Sequence, residues 1–190
     1  ISLPGYIRKN HLISAILMAL LTFFIALLLS IGSEGLVKAA NQIAVAVLLL
    51  ILIIFVGIFF DMIGTAVTAA ELPPFNAKAA KKIYGARQAV KLIHNAGLVA
   101  NFCGDVVGDI SGTLSGAIGA GIAISLMKHF PLVDAIWVGS AITSLIAAAT
   151  VGGKALGKHL AVNYANQIIF RVAIVISWWE DLTGMELFKK

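Results

Sequence analysis

Residues 43–61 read IAVAVLLLILIIFVGIFFD, an uninterrupted apolar run that ends in an aspartate. A helix of about 20 such residues crosses the roughly 30 Å hydrocarbon core of a bilayer. The rest of the chain has the same character, since 60% of its 190 residues are hydrophobic and 12% are charged, against about 25% charged residues in a typical globular protein. A soluble protein of this size must expose much of its surface to water. The sequence therefore predicts an integral membrane protein.

Four segments are apolar and long enough to span a membrane. The predicted spans are residues 12–32, 43–66, 98–127 and 133–151. Residues 76–93 place apolar side chains at helical spacing opposite lysines, which predicts an amphipathic juxtamembrane helix, with a solvated basic loop as the alternative. The predicted fold class is thus all-α: a polytopic membrane protein with four transmembrane helices and amphipathic juxtamembrane helices.

The predicted transmembrane domain covers residues 1–159, and a C-terminal amphipathic interfacial segment covers residues 160–190. Apolar residues in the first part of this C-terminal segment alternate with polar ones, among them Asn163 and Arg171. A fifth span is the alternative interpretation. Polar and charged side chains are costly inside a bilayer, so a helix on the membrane surface is favoured.

Basic residues are concentrated at one end of the predicted spans. They are Arg8, Lys9, Lys78, Lys81, Lys82, Arg87, Lys91, Lys154 and Lys158. Because cytoplasmic loops of membrane proteins are enriched in lysine and arginine, both termini and the long middle connection are expected in the cytoplasm of a multi-pass cell-membrane protein. The same distribution explains the net charge of +5 without a nucleic-acid partner.

The third span carries two stripes of residues at four-residue spacing. The first consists of Gly104, Gly108, Gly112 and Gly116, and the second of Asn101, Asp105, Asp109 and Thr113. The glycine stripe predicts the close approach of another helix. Counted from residue 98, the second stripe places Asp109 near mid-membrane, and no lysine or arginine lies within the four predicted spans. Carboxylates without a cationic partner in hydrocarbon are expected to be protonated or to bind a cation.

Asp61 lies near the inner end of the second span, at a depth expected to match that of Asp105. Carboxylate, amide and hydroxyl oxygens are the ligands that Mg²⁺ prefers. The predicted metal ligands are Asp61, Asp105, Asp109, Asn101, Ser111 and Thr65. The single cysteine, Cys103, excludes a multi-cysteine metal centre. The sequence contains no nucleophile elbow, phosphate-binding loop or HExxH motif, so an enzyme is not expected.

Three elements of the sequence resemble the transmembrane domain of the CNNM/CorC (CorB) magnesium transporters. They are the polar interruption FDMIGTA at 60–66, the basic connection containing Gly85-Ala86, and the run GDVVGD at 104–109. The resemblance extends from about Phe59 to Val151. It implies that Asp61 and Gly64 replace a serine and a glutamate of the family's ion site, and that Asp105 and Asp109 replace its two asparagines.

The chain also departs from that family. The glutamate of the family's motif is missing, the first helix is additional, and the remaining residues cannot hold a nucleotide-binding CBS-pair domain. The resemblance implies a homodimer embedded in the lipid bilayer, with cytosolic juxtamembrane helices and transport of Mg²⁺, with Na⁺ as the coupling ion.

The leading functional hypothesis is a transporter or exchanger of a divalent cation, with Mg²⁺ as the bound and transported ion. In one alternative, the aspartates couple protons to the transport of a small substrate. In another, the protein is a non-transporting membrane scaffold that packs through its glycine stripe.

Overall fold

The computed structural model describes residues 5–40, 43–129 and 135–185, and these residues form an all-α protein. The helices are α1 (Gly5–Ala40), α2 (Ile43–Ala69), α3 (Leu72–Ala80), α4 (Ala86–His94), α5 (Ala96–Ala100), α6 (Gly108–His129), α7 (Ala135–Asn163) and α8 (Ala165–Thr183). A π-helical segment, Asn101–Val107, joins α5 to α6. The predicted all-α class is confirmed.

Four helical segments are long and apolar enough to cross a membrane, in agreement with the predicted number of spans. They are Ala15–Gly32, Ile43–Ala69, Ala96–Met127 and Ile136–Asn163. The predicted start of the fourth span, residue 133, lies outside the described residues, as do residues 1–4 and 186–190 of the two predicted segments. The chain is therefore a multi-pass membrane protein by the length and composition of its helices.

The helix of the fourth span continues beyond residue 151, where the prediction ended the span. Helix α7 extends to Asn163, and two of its glycines, Gly153 and Gly157, lie where α2 comes close. A Cβ on Gly153 would overlap the side chain of Ile58, and a Cβ on Gly157 would lie 3.3 Å from Cγ2 of the same residue. The extension places Lys154 and Lys158 inside the helix, which corrects the sequence-based assignment.

Helix α2 lies at the centre of the bundle and packs against α6 and α7, whereas α1 lies at its edge. The core at one end consists of Ala46, Leu50, Ile118, Ile122 and Ile146. Farther along α2, Gly57 allows a close crossing with α6, since a Cβ there would lie 2.7 Å from Cβ of Ser111. Close backbone approach of this kind is how membrane helices gain packing energy.

Helices α3, α4 and α8 form a layer at the other end of the bundle, here called the cap. The predicted single helix over 76–93 is wrong, because the chain breaks into α3 and α4. The break contains two residues with positive φ, Lys82 at 54° and Gly85 at 81°. Glycine favours this conformation because it has no Cβ. The helical spacing of apolar residues continues across the break, from Ala79 to Val90, so the break is not visible in the sequence pattern.

Helix α8 is held against the other two helices of the cap, α3 and α4, by apolar and polar contacts. Ile169 and Ala173 are fully buried, in the same cluster as Phe75 of α3. The Tyr84 hydroxyl donates to Oδ2 of Asp181 over 2.7 Å. This hydrogen bond, with desolvation and the charge of Asp181, raises the pKa of the Tyr84 phenol. Because the protonated phenol is favoured in the fold, the contact stabilises docking at neutral pH and is lost only as the pH rises through the raised pKa.

Substituting Gly85 by alanine should weaken the docking of α8. The new Cβ would lie 2.8 Å from Cγ1 of Ile174 and 3.1 Å from its Cα, and φ there is positive. The expected loss in the free energy of unfolding is about 3 kcal/mol, from left-handed strain and overpacking together. Thermal unfolding in detergent measures it. Gly184→Ala is the matched control, since φ is 68° there with no atom within 4 Å. An equal loss in both variants would contradict the predicted clash.

Candidate functional site

Four charged residues lie in the cap-side half of the bundle: Asp61 of α2, Asp109 of α6, and Lys154 and Lys158 of α7. Asp109 precedes the last residue of α6, His129, by twenty residues, and this rise of about 30 Å matches the thickness of a hydrocarbon core. Asp61 is a similar distance from Ile43, where α2 begins. Val99 and Cys103 belong to the core beneath the cap. Asp109 therefore lies in the interior of the third candidate span, Ala96–Met127, and its mid-membrane position stays a prediction.

Asp61 is the buried carboxylate of the candidate spans, with 8% of its surface exposed. Its Oδ2 atom has no hydrogen-bond partner among the residues described. Its other oxygen faces the π-helical segment, where a Cβ on Gly104 would lie 3.8 Å from Oδ1. The missing side chain at Gly104 thus leaves space beside a buried negative charge.

A lysine of α7 supplies the counter-charge that the sequence analysis did not find. Lys158 Nζ lies 3.7 Å from Oδ2 of Asp61, and the lysine side chain is 55% exposed. One turn earlier, Lys154 Nζ donates to the backbone oxygen of Gly108 over 3.4 Å. The helix of the fourth span therefore carries two basic residues, Lys154 and Lys158, beyond the predicted end of that span. A long ion pair to a half-exposed lysine is weak, because water competes for both groups.

The π-helical segment Asn101–Val107 contains both Gly104, which lies beside Asp61, and two residues of the polar stripe, Asn101 and Asp105. Asp105 and Asp109 are both exposed on the surface of the chain, as is Asn101. Neither carboxylate forms an ion pair or hydrogen bond with a residue that the structure describes. A π turn is wider than an α turn and often marks a functional site in a helix. Here it accompanies a change of environment from the exposed Asp105 to the glycine beside Asp61.

The predicted six-residue metal site is not assembled within the chain. Thr65 donates its hydroxyl to the backbone oxygen of Asp61 over 3.0 Å, and Ser111 donates to the backbone oxygen of Val107 over 2.8 Å. Over residues 5–40, 43–129 and 135–185, no three His, Cys, Asp or Glu side chains converge to hold a metal. Asp61 alone of the three aspartates lies in a buried setting that could accept a cation.

The glycine stripe of the third span does not pack a helix along its whole length. Gly104 lies near Asp61 and Gly108 near Lys154, whereas Gly112 and Gly116 have no atom within 4 Å of a built Cβ. Close packing uses glycines of α2 and α7 instead. A signal for the missed lysines was present in the sequence: Gly153 and Gly157 are four residues apart, as are Lys154 and Lys158. Residues at this spacing share a helix face.

Comparison with known proteins gave no match to a family model, to a curated protein or to a solved structure.

Proposed function

We propose that the chain is a membrane transporter of a cation, with Mg²⁺ as the first ion to test and Asp61 as its binding carboxylate. The observation that carries the proposal is the buried Oδ2 atom of Asp61, which accepts no hydrogen bond and lies 3.7 Å from Lys158. A buried carboxylate oxygen without a donor is costly and is stabilised by any cation that reaches it.

Lys158 would act as a removable counter-ion in this mechanism. Its side chain is half exposed at the cap end, so it can move into water while an incoming cation takes its place. Mg²⁺ is suited to such a site because it loses water reluctantly and is commonly held by one or two carboxylates with several waters retained. A single buried aspartate is therefore a sufficient protein ligand, with retained water completing the coordination of the ion.

The arrangement in the cell follows from the charges. We propose that the cap lies in the cytoplasm, with both termini, because Lys78, Arg87 and Lys91 belong to it. We further propose a homodimer in which a second copy covers the outward face of α6 at Asp109, Gly112 and Gly116. The space at Gly112 and Gly116 on that face would allow a helix of the second copy to approach closely. Na⁺ remains the proposed coupling ion, and the chain is proposed not to be an enzyme.

Replacing Asp61 by asparagine should reduce Mg²⁺ flux by about ten- to a hundredfold, because the ligand loses its charge. The measurement is Mg²⁺ uptake into proteoliposomes with a fluorescent indicator. Asp109→Asn is the matched control, since this exposed carboxylate lies away from Asp61, and it should retain most of the flux.

Unchanged flux in Asp61→Asn would remove Asp61 from the site. Flux that follows a pH gradient and ignores Mg²⁺ would favour proton-coupled transport. A folded wild-type protein without flux of either ion would favour the scaffold.

A further inference from the structure

Two neighbouring pockets lie along α1 and the third span, here called the apolar and polar parts of one cleft, and α2 also lines the apolar part. The apolar part has a volume of about 370 Å³ and is lined by Ile25, Leu29, Ile53, Val56, Ile110 and Leu114. The polar part has a volume of about 340 Å³ and is lined by Met18, Thr22, Asn101 and Asp105, among others. The two parts follow one another along the same pair of helices, and each is large enough for a small ligand or part of a larger one.

The polar part carries an unneutralised negative charge. The carboxylate of Asp105 is exposed, and within the part of the chain that the structure describes it has no ion-pair or hydrogen-bond partner. Asp105 and the α1 residues beside it, Ala15 to Thr22, lie in the cap-side parts of the candidate spans Ala96–Met127 and Ala15–Gly32. A cationic group that approaches from the cap side would meet Asp105 with complementary charge.

The apolar part lies farther from the cap along the same helices. Ser111 also lines it, but its hydroxyl already donates to the backbone oxygen of Val107. The cleft therefore offers apolar contacts farther from the cap and a carboxylate nearer to it. This order, from the membrane interior outward, is that of a phospholipid with its acyl chain inward and its headgroup outward.

We propose that this cleft binds a phospholipid with a primary-amine headgroup, such as phosphatidylethanolamine. The ammonium group bonds to Asp105, with the Asn101 amide beside it, and one acyl chain fills the apolar part. The ammonium group has three N–H donors that can form hydrogen bonds with the carboxylate of Asp105, whereas the trimethylammonium group of phosphatidylcholine has no N–H donor. The proposal does not depend on cation transport, because Asp61 does not line the cleft.

The test is native mass spectrometry of the full chain released from nanodiscs that contain equal amounts of phosphatidylethanolamine and phosphatidylcholine. The wild-type protein should retain the ethanolamine lipid about tenfold over the choline lipid, since a charge-assisted hydrogen bond separates the two. Asp105→Asn should remove this preference. Leu29→Trp should displace both lipids, because the larger side chain enters the apolar part from its exposed side. Asp109→Asn, outside the cleft, should behave like the wild type.

Three results would overturn the proposal. The first is retention of both lipids in equal amounts by the wild-type protein. The second is an unchanged preference in Asp105→Asn. The third is a protein dimer that retains no lipid, which would identify a second copy as the occupant of the cleft. Circular dichroism of each variant confirms that its helices remain, and Mg²⁺ flux measured on the same samples separates failure of the lipid site from failure at Asp61.

Discussion

Leucine at Gly57 is expected to unfold or rearrange the bundle, whereas leucine at Gly112 is expected to leave it folded. A Cβ on Gly57 would lie 2.7 Å from Cβ of Ser111 and 3.3 Å from its Oγ, so α2 and α6 must move apart to admit one. The full leucine side chain should cost at least about 3 kcal/mol in the free energy of unfolding. The measurement is unfolding in mixed detergent micelles, followed by circular dichroism.

Gly112 is the matched control because it lies on α6 with no atom within 4 Å of a built Cβ. The comparison separates two explanations of the glycines. If the stripe of the third span packs helices within the chain, Gly112→Leu should be as damaging as Gly57→Leu. If close packing instead depends on the crossing of α6 with α2, only Gly57→Leu should destabilise the bundle. A folded Gly112→Leu variant that has lost its dimer would support the proposed contact of a second copy.

Replacing Lys158 by methionine should strengthen Mg²⁺ binding about tenfold, because it removes the cation that competes for Asp61 while keeping the length of the side chain. The variant should also be less stable than the wild type when Mg²⁺ is removed by a chelator, since a buried carboxylate is left without its partner. Added Mg²⁺ should restore the melting temperature, because a ligand that binds only the folded state stabilises it. Thermal unfolding across a Mg²⁺ titration measures both effects.

Lys154→Met is the matched control for charge. Lys154 lies one turn away on the same helix and bonds to the backbone oxygen of Gly108 rather than to Asp61. Its removal changes the charge of the region equally without freeing the carboxylate. Equal gains in Mg²⁺ affinity for the two variants would show that the gain comes from long-range electrostatics and not from the contact between Lys158 and Asp61. Weaker binding in Lys158→Met would contradict the role of Lys158 as a competing cation.

The four spans and the all-α class could be predicted because hydrophobic length is a local property, visible in runs such as residues 43–60. The end of α7 could not, since hydropathy falls near residue 151 whereas the helix continues to Asn163. That difference concealed Lys158 and with it the counter-charge of Asp61. A drop in hydropathy indicates where a helix leaves the apolar layer, and it does not indicate where its hydrogen bonding ends.

The candidate site was only partly predictable for a second reason. Asp105 and Asp109 were grouped with Asp61 on depth and on regular four-residue spacing, but spacing along one helix does not determine which neighbour each face meets. The π-helical segment at Asn101–Val107 also interrupts the regular α-helical turn on which the spacing argument depends. Asp61 is visible in the sequence as a charge at the end of an apolar run, but its pairing with Lys158 of α7, about a hundred residues later, is not.

The docking of α8 on α4 has a consequence for the order of folding. Gln88 Nε2 donates to Oε2 of Glu180 over 2.7 Å across 92 residues of sequence, and Phe75 is buried beside Phe170 of the same late helix. During synthesis, the apolar faces of α3 and α4 remain uncovered by α8 until residues 165–183 leave the ribosome. Contacts between residues so distant in sequence form late in folding, and until then the intermediate exposes apolar surface. We therefore expect chaperones to bind a nascent chain on a ribosome that is stalled before α8.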